Sequence, residues 1–362
     1  MDQLISYIAP AAPATRRPAT GKESFLRPEI GFTPAWYAEH CNVHFNQEWH
    51  INTQYRYQTL QRMHRELQRR LPGMNIGHSM DINGPLDLLT GIHGCNTVAA
   101  IFGIPLIYTD HAWPVSQPAY HSTDQLEHLD VPDLSKNRCF HNVLTQVDRI
   151  AQWQGTVPGF INWQGILNNA QRLRGQQVFL DLVDKPDLCH HVFACICQTM
   201  IEGTRLLHQK QRSTGVDYGF ATISNCYVNM ISPDQYAEFI LPFDKQIAEA
   251  FDVIGIHNCA WNADPYVEHY AGIPNLGYID MGLETNLARA RDLFPNARRA
   301  LMYTPMDLAN KTSEQIQEDI AYIVDSFAPC DIVIADIDKD VPDEKVIAFV
   351  ELCQCYNKEH PP

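Results

Sequence analysis

No stretch of this sequence comes near the ~18 consecutive apolar residues that a membrane-spanning helix needs. Residues 1–21 hold Pro10, Pro13 and Pro18 and a late Arg16-Arg17 pair without a long apolar run, so they do not read as a secretory signal. No segment repeats at a fixed period, and no tract is compositionally biased. Positive charge is scarce. Lys and Arg total 27 against 42 Asp and Glu, a net charge of −15, and a nucleic-acid surface needs clustered cations. No G-x-G-x-x-G follows the first candidate strand, which weakens a dinucleotide-binding reading. Phosphate-cradling glycine loops and a nucleophile elbow are missing as well. Together these absences exclude a membrane or nucleic-acid partner and predict a cytoplasmic protein acting on a small molecule; a homodimer is one assembly open to it, and the sequence does not fix the oligomeric state.

Apolar residues are plentiful, 45% of 362, enough for a large core in two average domains or one elaborated α/β barrel. Cysteine is abundant too. The eleven cysteines form an odd set in a chain far larger than a disulfide-stapled domain, so free, mostly buried thiols are expected. Residues 1 to about 30 read as a draped arm, and the arm is bounded at 1–45 with one domain over 46–362. Asn46–Arg70 reads as a long polar helix with Tyr57, Leu60, Met63, His64 and Leu67 on one face. After it, β-rich runs alternate with helical patterns. The candidate strands are Asn75–Met80, Ile104–Thr109, Val157–Trp163, Tyr218–Ser224, Val253–His257, Leu276–Asp280, Ala300–Thr304 and Asp331–Asp336. The intervening helices are Gln176–Val183, Pro186–Gln209, Pro233–Phe251 and Ser313–Ser326. Ser232-Pro233 and Thr312 supply helix starts. Strand–helix alternation of about eight units predicts an α/β fold with a parallel sheet closed as a TIM (β/α)8 barrel, with the N-terminal extension and an elaborated Cys95–Gln154 region near the mouth.

In such a barrel, chemistry sits at the C-terminal ends of the strands. The polar residues there are His78 and Asp81, Asp110 and His111, Asn162 to Gln164, Asn225 and Cys226, His257 and Cys259, Asp280, Thr304, and Asp336 with Asp338. His257-x-Cys259 is the sharpest of these. On an extended segment two residues of this spacing face one side, and imidazole and thiolate are natural zinc ligands. Asp81, Asn225 and Asp280 are candidate catalytic groups. His78 and the aromatic residues Trp113, Trp163 and Trp261 are candidate substrate contacts. Other pairs read as structural. His190-His191 with Cys195 and Cys197, and Cys353-x-Cys355, lie on helices where near neighbours point apart.

Several segments resemble the uroporphyrinogen decarboxylase superfamily. Ile231-Ser232-Pro233 with Tyr236, Phe239, Pro242 and Phe243 is similar to its "SPxxYxxFxxP" helix. Gly255 to Cys259 is similar to the His-x-Cys segment of its zinc methyltransferase branch, with Ala260 in place of the following glycine. Trp163-Gln164-Gly165 through Leu180, and Val341 to Val346, resemble two further family segments. The resemblance implies a methyltransferase moving a methyl group between a corrinoid, supplied by a partner protein, and a thiol held on zinc. It implies His257 and Cys259 as zinc ligands and a third ligand after the last strand, which falls near Asp336. Cys330 is the competing choice, but it opens that strand, roughly 20 Å from the catalytic edge. The alternative branch decarboxylates a tetrapyrrole or a small acidic substrate. That branch grips carboxylates with a spaced N-terminal arginine pattern, which Arg16-Arg17-Pro18 does not reproduce, and Asp81 would stand in for its aspartate.

Overall fold

The computed structural model describes residues 4–9, 16, 18–78 and 85–360. Eight strands form one sheet: β1 (Leu4–Ile8), β2 (Leu26–Phe32), β3 (Ile76–His78), β6 (Phe220–Ser224), β7 (Val253–His257), β8 (Leu276–Gly282), β9 (Arg298–Tyr303) and β10 (Cys330–Ile337). Their order is β3-β1-β2-β10-β9-β8-β7-β6, and every neighbouring pair is parallel. Parallel neighbours require crossovers, and most of these carry helices that cover the outer face. The sheet curls strongly: Tyr7 of β1, Glu29 of β2, His257 of β7, Tyr278 of β8, Met302 of β9 and Val333 of β10 all line one cavity. Among the described residues, no ladder joins the edge strands β3 and β6.

The N-terminal region corrects the expectation of a draped arm. β1 lies between β3 and β2, and β2 lies between β1 and β10, so both are inner strands. A boundary at residue 45 would cut them from their partners. The arm reading followed the prolines, but Leu4, Leu26, Ile30 and Phe32 are buried and carry the strand pattern between them. Residues Val157–Trp163, expected as a strand, run as coil beside β6 instead. Pro158 has no N–H to give, and Gly159 takes φ 101, which a ladder does not use. The Gln211 side chain satisfies the Val157 and Gly159 carbonyls at 3.0 and 2.7 Å in place of a neighbouring strand. Within Ile104–Thr109 only β4 (Leu106–Ile107) forms, antiparallel to β5 (Val115–Ser116) in a separate ribbon, where Ile107 and Val115 are exposed.

The other elements follow their local chemistry. The long helix divides at Asn52, whose side chain accepts from Gln54 N and Tyr55 N and starts Thr53–Arg70 afresh after Gln47–Ile51. Thr312 caps Ser313–Ser326 with a reciprocal Gln315 box. The segment from Pro233 is helical with a π turn over Tyr236–Ile240 before Leu241–Glu249. Pro242 explains the wider turn: it cannot donate to the carbonyl four residues back, and its ring pushes that carbonyl aside.

Candidate active site

β6 and β7 pair in register from Phe220–Val253 to Ser224–His257. The pairing continues one step, since Asn225 N donates to the His257 carbonyl at 2.7 Å. Cys226 and Cys259 each follow two residues after the Ser224–His257 pair, so the register itself brings them to the same height. The ligand atoms of Cys226, His257 and Cys259 lie within 4.8 Å of one another. His257 Nε2 is 3.2 Å from Cys259 Sγ. Cys259 turns back through a left-handed φ of 56°, uncommon for a residue with a side chain. Gly282 of β8 makes this turn possible, because a Cβ there would stand 2.0 Å from the Ala260 carbonyl oxygen.

His257 is held from behind. Its Nδ1 donates to Asp280 Oδ2 at 2.7 Å, which leaves Nε2 as the lone-pair nitrogen facing the thiols. Asp280 is itself fixed by Tyr278 Oη at 3.0 Å and by Asn258 N at 2.7 Å. Burial and Arg16 oppose a charge on His257, but the Asp280 carboxylate and Cys226 outweigh them and raise its pKa. The thiols behave as a pair. The hydrogen bond from Cys259 is the main reason the Cys226 thiol ionises well below its ordinary value, with His257 helping against burial. The same bond, with burial, holds the Cys259 proton well above it. One sulfur is therefore readily a thiolate beside the imidazole, and a cation would draw off the second proton.

A cavity of about 140 Å³ adjoins the cluster and is lined by His257, Cys259, Asp280, Asp336, Arg16, Glu29 and apolar side chains including Met302 and Val333. Asp336 sits at φ 55, and its Oδ1 is buried without a hydrogen-bond partner. Burial raises its pKa, His257 pulls the other way, and Cys226 adds to the rise. Deeper in, burial and Asp331 push Glu29 up to about 8 despite Arg27.

The residues singled out from the sequence divide into groups. His257, Cys259, Asp280 and Asp336 meet at this cavity. Asp280 acts on the cluster through His257. Asn225 is buried and turned outward, donating to Asp244 Oδ2 at 2.8 Å. Trp113 donates to the Ala9 carbonyl and packs on Phe45 and Trp49, and the Trp163 ring fills the space beside Gly203; neither lines the cavity. Trp261 packs edge-on against Tyr266 and does not line it either. Asp81 and the His78 side chain lie outside the described residues. Cys330 is fully buried at the start of β10, the far end of the strand from Asp336. Cys226 is the residue that sequence reasoning left unassigned, although it was noted as a strand-end group.

The family model described as Uroporphyrinogen decarboxylase (URO-D) matches residues 83–356. No curated protein matches the chain in sequence. Among solved structures, a methyltransferase from Methanosarcina mazei superposes with a TM-score of 0.60 at 15% identity, over 88% of this chain and 90% of that one.

Proposed function

From the premise that this chain belongs to the uroporphyrinogen decarboxylase family, we propose that it is a zinc-dependent methyltransferase passing a methyl group between a corrinoid carried by a partner protein and a thiol. The observation that carries this reading is the convergence of Cys226, His257 and Cys259, with His257 oriented by Asp280. Two sulfurs and one imidazole nitrogen suit a soft divalent ion, and a carboxylate behind the histidine is the usual support for such a ligand. His257, Cys259 and Cys226 would hold the ion. Asp336, on the same cavity, is the oxygen donor that could join them. Bound zinc supplies Lewis acidity that keeps an acceptor thiol ionised at neutral pH. The chain's own contribution is orientation. Asp280 holds the ring proton of neutral His257 on Nδ1, so that Nε2 is the nitrogen aimed at the ion. We place this chemistry on a barrel of the TIM type, with the Val157–Trp163 coil running beside β6.

A tetrapyrrole decarboxylase is less well supported. A macrocycle with several carboxylates calls for several cations, and among the described residues Arg16 is the one Arg or Lys that lines the cavity. The test is metal content after incubation with zinc, followed by methyl transfer from methylcobalamin to 2-mercaptoethanol and 3-mercaptopropionate. The proposal requires one zinc per chain and zinc-dependent transfer. Protein that stays metal-free in excess zinc at neutral pH overturns it.

A further inference from the structure

We infer that Cys226 and Cys259 form a redox switch on the candidate metal site: a hydroperoxide joins them as a disulfide, the ion leaves, and a small thiol restores both ligands. The inference rests on the proposed function in taking these sulfurs as zinc ligands. Strand register makes the pair. Each cysteine follows the Ser224–His257 rung by two residues. Neighbouring strands lie about 4.8 Å apart, inside the Cα range of about 4.4–6.8 Å that a disulfide bridges. The two sulfurs already stand within 4.8 Å of each other, with a thiol–thiol hydrogen bond between them. Neither residue is held in a ladder. Cys226 opens the turn after β6 and Cys259 the turn after β7, so side-chain rotation and a small loop shift close the remaining gap. Access favours the pair as well. Cys189, Cys195, Cys197, Cys330 and Cys353 are buried, whereas Cys226 and Cys259 are half-buried and Cys259 lines the cavity.

The chemistry balances with hydrogen peroxide as the oxidant. One sulfur attacks the O–O bond, takes an oxygen as a sulfenic acid and releases hydroxide. The second sulfur then attacks the first, the S–S bond forms, and the sulfenic oxygen leaves as a second hydroxide. Two electrons pass from the sulfurs to the peroxide. The hydroxides become water with the two thiol protons in the metal-free chain, or with two solvent protons when both sulfurs start as zinc thiolates. A disulfide carries no charge and is a poor ligand for zinc. Oxidation therefore cuts the donor set from two sulfurs and an imidazole to His257 with Asp336, too few to hold a tetrahedral ion. The Asp280 bond to His257 does not involve either sulfur, so the site is ready to reload on reduction.

The experiment adds a small excess of hydrogen peroxide to zinc-loaded and to metal-free protein. Zinc release is followed with a chromophoric chelator, and unreduced tryptic peptides are mapped by mass spectrometry. Trypsin puts the two cysteines on Ser213–Lys245 and Gln246–Arg289, one thiol in each, so these peptides travel together only when a disulfide links them. Wild type should give the linked pair, a mass lower by two hydrogens, and release of its zinc. Dithiothreitol should reverse all three. Cys355→Ser, which removes the exposed thiol, should behave as wild type does. Metal-free Cys226→Ser leaves an oxidised Cys259 without its partner, so it should gain oxygen that dithiothreitol does not remove. If Cys226→Ser does not fold, the wild-type peptide map decides. Zinc released without the linked pair, or either cysteine linked to a different one, overturns the inference and leaves the proposed function standing. The linked pair in a chain that never takes up zinc would instead remove the proposed function and leave a reversible dithiol.

Discussion

Asp280 never has to touch a substrate to matter, because its carboxylate decides which nitrogen of His257 carries the proton. Asp280→Asn keeps the shape but can donate to Nδ1, which would move the ring proton to Nε2 and block it as a ligand. Zinc affinity, read by competition with a chromophoric chelator, should fall about 10- to 100-fold, and unchanged affinity would contradict this role. Cys226→Ser should weaken zinc binding, whereas Cys330→Ser should leave it unchanged, since Cys330 is sealed at the opposite end of β10. Affinity should also decline as pH falls, because protons compete with zinc for the two sulfurs and the imidazole. At this scale the sequence was informative where ligands are neighbours. His257 and Cys259 stand two apart after an apolar strand, so their chemistry could be read locally. Cys226 could not, because its closeness depends on the register of β6 against β7 across the crossover from Ser224 to Val253, whose pairing no local pattern encodes. The one available signal was that each cysteine follows its strand end by the same short step.

At the level of elements, the π turn over Tyr236–Ile240 brings Asp244 into the wall behind the cluster. Asp244 is fully buried and accepts from Asn225 Nδ2 at 2.8 Å and Tyr236 Oη at 2.9 Å. Burial drives its pKa to about 7, more than those two hydrogen bonds draw it down. The sign of the linkage follows. The folded chain holds this proton between about pH 4 and about pH 7 while the unfolded chain has released it, so stability falls as pH rises through that window. The slope from this group is at most about 1.4 kcal/mol per pH unit. Urea unfolding at pH 5 and pH 8, at equal metal loading, should show a smaller pH dependence in Asp244→Asn than in wild type, and equal dependence would count against the buried-acid reading. Helices such as Ser313–Ser326 were legible because their caps and periodicity are local. Val157–Trp163 misled because its composition suits a strand while Pro158 and Gly159 deny it a ladder. A proline-rich neighbourhood likewise hid β1 and β2, whose identity as inner strands comes from partners β3 and β10, distant in sequence.

Across the whole molecule, the sheet depends on its first residues. Removing residues 1–22 deletes β1 from between β3 and β2, so the truncated chain should lose cooperative thermal unfolding by circular dichroism, whereas a merely draped arm would leave the transition in place. The strand–helix alternation made a parallel α/β architecture readable from sequence, while the curl, and the lack of a β3–β6 ladder among the described residues, required the assembled sheet. That curl sets β1, β2 and β7 to β10 around one cavity and brings Cys226 and the His257–Cys259 pair together at its rim. The central claim is that two sulfurs and one imidazole form the metal centre. X-ray absorption at the zinc edge on the zinc-loaded protein tests it most directly. The account predicts two sulfur neighbours at about 2.3 Å and at least one nitrogen at about 2.0–2.1 Å, with one sulfur lost in Cys226→Ser. A wild-type spectrum with a single sulfur, or with only nitrogen and oxygen neighbours, would contradict it.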